Sequence, residues 1–372
     1  MGWSIHHPVG LIHHSPMFSY KGYTLVFANS GKFAALLDMD GRVCHRWEYH
    51  EGLTYAVLLP NGNLLGRTPL PPDFEQTRGL GGSGGSIVEL DWDGVKVWEH
   101  YDPWMHHDYE RSMTGSTYYL LWEEMSADLS ARVRGGYRTP EDPVFMLGDT
   151  IREIDMDGET VNEWRVWEKL PIESQVICPL EGRREWTHAN SIHVTRSGDF
   201  LLSFRSTSNV ALVSRETGEV AWEWGVGELG HQHHATELES GNILIFDNGS
   251  HSRNRAASRV IEVNPETNEI EWTYEGSPPV SFFSSYISGA DRLPNGNTLI
   301  CEGAHGRLFE VTNRGEIVWE YVNPFFAPDG SGRNLSNATF RVHRYGPEFS
   351  GFTGRDLDPA RYANLNRVLG VR

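Results

Sequence analysis

Pro294-Asn295-Gly296-Asn297-Thr298-Leu299-Ile300, followed by Arg307-Leu308-Phe309-Glu310-Val311, Arg314-Gly315 and Val318-Trp319-Glu320, is the stretch that decides the fold. Asn-Gly supplies the positive φ angles of a tight hairpin. The runs around it are short and rich in β-branched and apolar residues, and a second Gly turn precedes the Trp. The unit therefore reads as four short strands: one before the hairpin, one after it, and two joined at the second turn.

The same unit recurs along the chain. Hairpins read Pro60-Asn61-Gly62-Asn63, Thr114-Gly115-Ser116, Ser197-Gly198-Asp199 and Ser240-Gly241-Asn242. Second turns fall at Asp40-Gly41, Asp93-Gly94, Asp157-Gly158, Thr217-Gly218 and Thr267-Asn268, and each precedes a Trp: Trp47, Trp98, Trp164, Trp222 and Trp272. The Trp spacing runs from 47 to 66 residues. Four antiparallel strands at such a period are the signature of a β-propeller, whereas solenoid repeats are usually shorter.

An all-β, six-bladed β-propeller is therefore expected, with the repeated Trp packed between blades. The first unit, Gly22 to Tyr49, lacks its inner strand, and a strand-like segment, Asn337 to Arg344, is left over at the other end. Pairing that C-terminal strand into the first blade closes the ring and removes two open sheet edges. Residues 1–372 read as one propeller domain, with an N-terminal extension over 1–21 and a C-terminal tail over 345–372. The insertions Thr68–Gly85 and Met125–Asp149 fall between the second and third strands of their blades, so both should rise on one edge as a lid. A third irregular stretch, Lys169–Trp186, links two repeats.

Composition excludes several classes. Within 372 residues no apolar run approaches the roughly 20 that a membrane-spanning helix needs. A formal net charge of -18 without a basic cluster argues against nucleic acid and anionic membrane partners. Cys44, Cys178 and Cys301 are far apart and suggest neither a disulfide framework nor a metal motif. Met1 to Ser19 shows no basic region followed by an apolar stretch. The expectation is a cytoplasmic protein, periplasmic if a signal has been trimmed.

The 17 histidines have positions in the repeat. Eight residues before each hairpin Gly stand Thr54, His107, Asn190, His233 and Ser288. Two residues earlier, on the same face, stand Gly52, Met105, His188, His231 and Tyr286. The returning strands carry Glu123, Glu124, Arg205, His251, Arg253, Arg255 and His305. These strand ends converge at the hub of a propeller, where a small-molecule pocket is expected. Its lining is expected to be His107, His188, Asn190, Arg205, His233, Arg253 or Arg255, and His305. His6, His7, His13 and His14 have no repeat register and read as surface or packing residues. His106, His193 and His234 have other parity and read as structural.

Trp186-Thr187-His188-Ala189-Asn190-Ser191, Gln232-His233-His234-Ala235-Thr236, and Phe246-Asp247-Asn248-Gly249 followed by Ser258-Arg259-Val260 resemble the bacterial arylsulfotransferase (arylsulfate sulfotransferase) family. So do the two Pro-Asn-Gly-Asn hairpins and the Gly-Glu-Ile-Val-Trp-Glu-Tyr run ending at Tyr321. The resemblance covers roughly residues 20 to 325. It implies a six-bladed propeller that moves a sulfuryl group from a phenolic sulfate to a phenol through a transiently sulfated histidine, with no nucleotide donor. By motif, His188 and His233 match family histidines, and Arg253 or Arg255 the arginine after the Asp-Asn-Gly turn. His305 is the histidine near the place of the nucleophile.

The residue types suit this chemistry, because sulfuryl transfer, like phosphoryl transfer, needs charge stabilisation on peripheral oxygens. His305 is read as nucleophile, His233 and His188 as acid and oxyanion partners, Arg255 as sulfate clamp, and His107 as a further catalytic histidine. Asn190, Arg205 and Arg253 would bind substrate, and Tyr55, Tyr109, Trp122 and Phe283 would hold an aryl ring. No cofactor is needed for this reaction. A rival reading uses His107, His188 and His233 to bind a divalent metal for a lyase or hydrolase acting on an acidic sugar or similar anion. A third is a non-catalytic scaffold. Either enzyme reading takes a small aromatic or anionic partner; oligomeric state is not encoded in these features.

Overall fold

The turns of the repeat fall where the sequence places them. In this computed structural model, which describes residues 8–140, 142–252, 256–329 and 332–371, the five hairpin glycines have φ between 85° and 99°. Six sheets of four or five strands, antiparallel except for one short strand added to blade 3, form a six-bladed β-propeller. The described residues fall into two compact units.

The first unit carries blades 1, 2 and 6. Blade 1 is ordered His343–Tyr345, Tyr23–Phe27, Gly31–Leu37, Val43–Leu53. Its inner strand is thus the C-terminal one, with Tyr23, Thr24 and Leu25 opposite Tyr345, Arg344 and His343. The closure expected from the leftover segment is present, although the paired strand is shorter than Asn337–Arg344. Blade 2 runs Tyr55–Leu58, Leu64–Pro69, Gly84–Leu90, Lys96–Tyr101, and blade 6 runs Gly289–Arg292, Thr298–Glu302, Arg307–Val311, Ile317–Val322.

Part of the N-terminal extension is a strand. Gly10–His14 pairs with Ile317–Val322 and covers the outer edge of blade 6. His13 and His14 therefore lie in a fifth strand that has no counterpart in the repeat, which is why periodicity did not reveal it. The C-terminal tail covers another edge: Asn366, in the helix Ala363–Val368, accepts from Val43 N (2.7 Å) and donates to Val43 O (3.2 Å).

The second unit carries blades 3, 4 and 5. Blade 3 is Met105–Arg111, Thr117–Glu124, Leu147–Ile154, Thr160–Arg165; blade 4 is Ala189–Val194, Phe200–Phe204, Asn209–Val213, Val220–Trp224. Blade 5 is His233–Glu237, Ile243–Asp247, Arg259–Val263, Ile270–Glu275. The irregular stretch after blade 3 contributes Ile177–Gly182, parallel to Gly135–Tyr137, and Glu185–Trp186, parallel to the third strand of blade 3. No helix among the described residues is long and apolar enough to cross a membrane.

The recurring Trp residues clasp as well as pack. Trp47 donates Nε1–H to Asp91 O, Trp164 to Arg215 O, Trp222 to Asn268 Oδ1 and Trp319 to Met39 O, at 2.8–3.0 Å. In each case the acceptor lies at the second turn of the following blade, with blade 1 following blade 6. Trp47 and Trp319 are fully buried. At about 25 cal/mol per Å², roughly 200 Å² of buried indole contributes about 5 kcal/mol. Trp98, Trp222 and Trp272 are only half-buried.

Candidate functional site

The ends of the inner strands in blades 3 to 5 bend sharply. Five of the ten described non-glycine residues with positive φ are histidines: His107 (48°), His188 (64°), His231 (59°), His234 (50°) and His251 (59°). Such backbone costs about 1–3 kcal/mol per residue and concentrates at functional sites. The chain tolerates it here where it aims imidazoles at the strand ends.

His188 is the best-oriented of them. Its Nδ1 lies 2.6 Å from Glu185 Oε1, and both side chains are about nine-tenths buried. The carboxylate holds the ring proton on Nδ1 and leaves the Nε2 lone pair available. Thr187, next in the chain, donates N–H (2.6 Å) and Oγ1–H (2.9 Å) to Asp149 Oδ2. The other oxygen of Asp149 is 3.3 Å from His106 Nε2. Burial, reinforced by Glu185, pushes the Asp149 carboxyl up to about 6.

His106 Nδ1 meets His107 Nδ1 at 2.9 Å, and the His107 ring lies 4.4 Å from that of His188. Asp149, His106, His107 and His188 therefore form one buried, polar sequence of contacts. The loop of blade 2 covers it: His107 N donates to Gly82 O (2.8 Å), Ser83 bridges to His106, and Arg184 reaches Arg78 O and Gln76 O. Gly82, with φ of 78°, has no room for a Cβ beside the His107 ring.

A second cluster adjoins His188. Arg205 Nη1 lies 3.0 Å from Glu181 Oε1, and the same oxygen stands 3.3 Å from His231 Nδ1 and 3.7 Å from His251 Nδ1. The His251 Nδ1 is 3.6 Å from Cys178 Sγ, and the rings of His231 and His251 are 4.6 Å apart. Burial pushes His231 down to about 3, helped by the charges of Arg205, His251 and His188. Asn190 donates to Gln232 O (2.8 Å), and its buried Oδ1 has no hydrogen-bond partner. His233 pairs through Nδ1 with Asn248 Oδ1 at 2.8 Å.

Other expected residues have other settings. Trp122 is buried and stacked on His106 at 4.2 Å. Tyr109 is buried within the first strand of blade 3, and Phe283 is half-buried. Tyr55 and His305 belong to the first unit. The Tyr55 hydroxyl meets His343 Nε2 at 2.9 Å, and His305 ends the short turn Gly303–His305. Arg253 and Arg255 lie outside the described residues.

The sequence pattern pointed to His107, His188, Asn190, Arg205 and His233, but Glu181, Glu185 and Cys178 were not among the expected site residues. They come from the irregular stretch between blades 3 and 4, which has no repeat register to read. His231 and His251 did carry a signal. His231 stands ten residues before its hairpin Gly, the same offset as His188. The metal-capable trio that the described residues gather is Cys178, His231 and His251, with ligand atoms within 4.8 Å of one another. It is distinct from His107, His188 and His233.

Fold and site define a β-propeller with a histidine-rich, carboxylate-supported cluster at its inner-strand ends. The chain belongs to the arylsulfotransferase (ASST) family, whose model matches residues 75–324. No curated protein matches it significantly. Among solved structures, a protein of unknown function from Bacteroides caccae is 15% identical with a TM-score of 0.56, covering 87% of this chain and 98% of its own. A streptogramin B lyase is 14% identical with a TM-score of 0.48, over 85% of this chain and 82% of its own. The first of these likenesses is one of fold.

Proposed function

We propose that the chain transfers a sulfuryl group from an aryl sulfate to a phenol, with histidine as carrier and no nucleotide donor. The observation that carries this reading, beside family membership, is the Glu185–His188 pair at 2.6 Å. A carboxylate on Nδ1 makes the opposite nitrogen a directed nucleophile or base. Nε2 of the carrier attacks sulfur, forming an N–S bond as the S–O bond to the aryl group breaks and the phenolate leaves with the electron pair. His107, in contact with His188, is placed to give that phenolate its proton and to take one from the acceptor phenol. The acceptor oxygen then attacks sulfur, the N–S bond breaks, and the imidazole is restored.

Arg205 offers a planar fork to the sulfuryl oxygens, and the orphaned Asn190 Oδ1 an acceptor for a phenolic O–H. Arg253 or Arg255 is proposed as a further clamp and His233 as an oxyanion partner. His305 is the alternative carrier on motif grounds. The experiment is 4-nitrophenyl sulfate with and without phenol, followed by mass spectrometry of quenched protein. Nitrophenolate release with one SO3 added to a peptide containing His188 or His305 is expected; no release at any pH refutes the reading.

The rival reading, a metal-dependent lyase or hydrolase on a small anion, would hold its ion at His107, His188 and His233. It predicts turnover that a chelator abolishes.

A further inference from the structure

We propose that Cys178, His231 and His251 form a binding site for a zinc-like divalent ion. The site uses two imidazoles and a thiolate from three separate segments: the irregular stretch before blade 4, the start of blade 5 and the loop after its second strand.

The geometry fits zinc closely. With Zn–S of about 2.3 Å and Zn–N of about 2.0–2.1 Å, a tetrahedral ion places sulfur and nitrogen ligands about 3.6 Å apart. Cys178 Sγ and His251 Nδ1 are 3.6 Å apart, and the three ligand atoms lie within 4.8 Å of one another. Thiolate and imidazole together select a borderline-soft ion such as zinc over magnesium or calcium.

A second observation points to a ligand independently. His231 is 1% exposed, yet neither of its ring nitrogens makes a hydrogen bond. A buried imidazole with both nitrogens unsatisfied is costly and calls for a partner. Its Nδ1 faces Glu181 Oε1 at 3.3 Å, outside hydrogen-bond geometry, so Nε2 is the nitrogen left for an ion. A carboxylate beside metal-bound histidines orients their rings and raises their basicity. Glu181 is placed for that role at His231, on the nitrogen opposite the one left for the ion, with Arg205 steadying the same oxygen.

Three protein ligands leave the fourth position of a tetrahedral ion for water or an anionic substrate oxygen. The strained backbone at His231 and His251, φ 59° at each, turns both rings into the cluster. This site does not depend on sulfuryl transfer, since it would hold an ion whatever the acceptor.

The test uses the full chain, stripped of metal and titrated with Zn²⁺ alone against a chromophoric chelator, with a parallel Co²⁺ titration. About one zinc per chain is expected, together with a thiolate-to-cobalt charge-transfer band. Cys178→Ser should abolish that band and weaken zinc by at least about tenfold, and His251→Gln should weaken zinc similarly. His50→Gln, at an exposed position outside the cluster, should bind as the parent does. Circular dichroism checks that the variants fold. Where Cys178→Ser does not, alkylation of Cys178 in the parent should slow when zinc is added. Loss of all zinc to the chelator, unchanged affinity in both ligand variants, a cobalt spectrum lacking the thiolate band, or alkylation indifferent to zinc overturns the proposal.

Discussion

Replacing Arg344 by Met tests whether the closing strand is held by a buried ion pair. Arg344 and Glu310 pair with both side chains fully buried. The guanidinium also donates Nε–H to Thr24 Oγ1 (3.0 Å), reaches Tyr20 O (3.3 Å), and lies 4.4 Å over the Trp319 ring. Removing one member of a buried pair costs about 3–5 kcal/mol, because the other charge stays buried and unpaired. Here Glu310 keeps two donors, Tyr20 N at 2.7 Å and Asn297 Nδ2 at 2.6 Å. Met also refills the space over Trp319. Both points favour the lower end, so the expected loss is about 3 kcal/mol in urea unfolding. Adding Glu310→Gln removes the stranded charge and should recover at least about 1 kcal/mol of it. Amides of His343–Tyr345 should exchange faster in the single variant. A single-variant loss under about 1 kcal/mol, or strictly additive effects in the double variant, would refute the reasoning.

Further expectations concern pH, the site and the blade clasps. His45 is buried and stacked 3.9 Å from Trp92; its Nε2 donates to Trp92 O and its Nδ1 has no partner. Burial pushes it down to about 4, so between about 4 and the unfolded value of about 6.5 the unfolded chain binds the extra proton. Stability should therefore rise across that window by about 3 kcal/mol, and unfolding of His45→Gln should show a shallower slope there than the parent. On the proposed role of His188, Glu185→Gln should lower kcat by about tenfold to a hundredfold with little change in KM, since Glu185 would position the reacting imidazole. Gly82→Ala, at positive φ and against the His107 ring, should cost about 1–3 kcal/mol and lower activity together, measured by thermal unfolding and nitrophenolate release. Trp319→Phe removes a donor to Met39 O and should cost about 1 kcal/mol in urea unfolding, because a part-buried carbonyl loses its partner.

The fold was legible because its determinants are local. Asn61-Gly62 and Asn295-Gly296 set hairpins within two residues, and the Trp of each fourth strand marks the end of a unit. The leftover segment before Arg344 followed from counting strands, since every blade needs four and the first lacked its inner one. The paired strand is nonetheless only His343–Tyr345, because residues 337–342 place their polar groups elsewhere: Asn337 and Thr339 bond to Asn323 and Phe27. The strand Gly10–His14 was not legible. It follows no repeat and is defined by the edge it pairs with.

The site divides in the same way. Register in the repeat placed His107, His188, Asn190 and His233, since a fixed offset from a hairpin glycine is a fixed position at the entry of an inner strand; Arg205 was read more loosely, from the returning strand of blade 4. The register also placed His231, whose buried ring, without a hydrogen bond to either nitrogen, only the packing reveals. Glu181, Glu185 and Cys178 lie in a stretch without periodicity, and their meaning depends on distances to residues 3 to 73 positions away. By itself the sequence determined the blade count, the closure and the histidines that face the strand ends, because strand alternation and turn chemistry act over a few residues. Only the tertiary structure decided which carboxylate holds which imidazole and which thiol joins them, because hydrogen bonding and coordination act through space over about 3 Å.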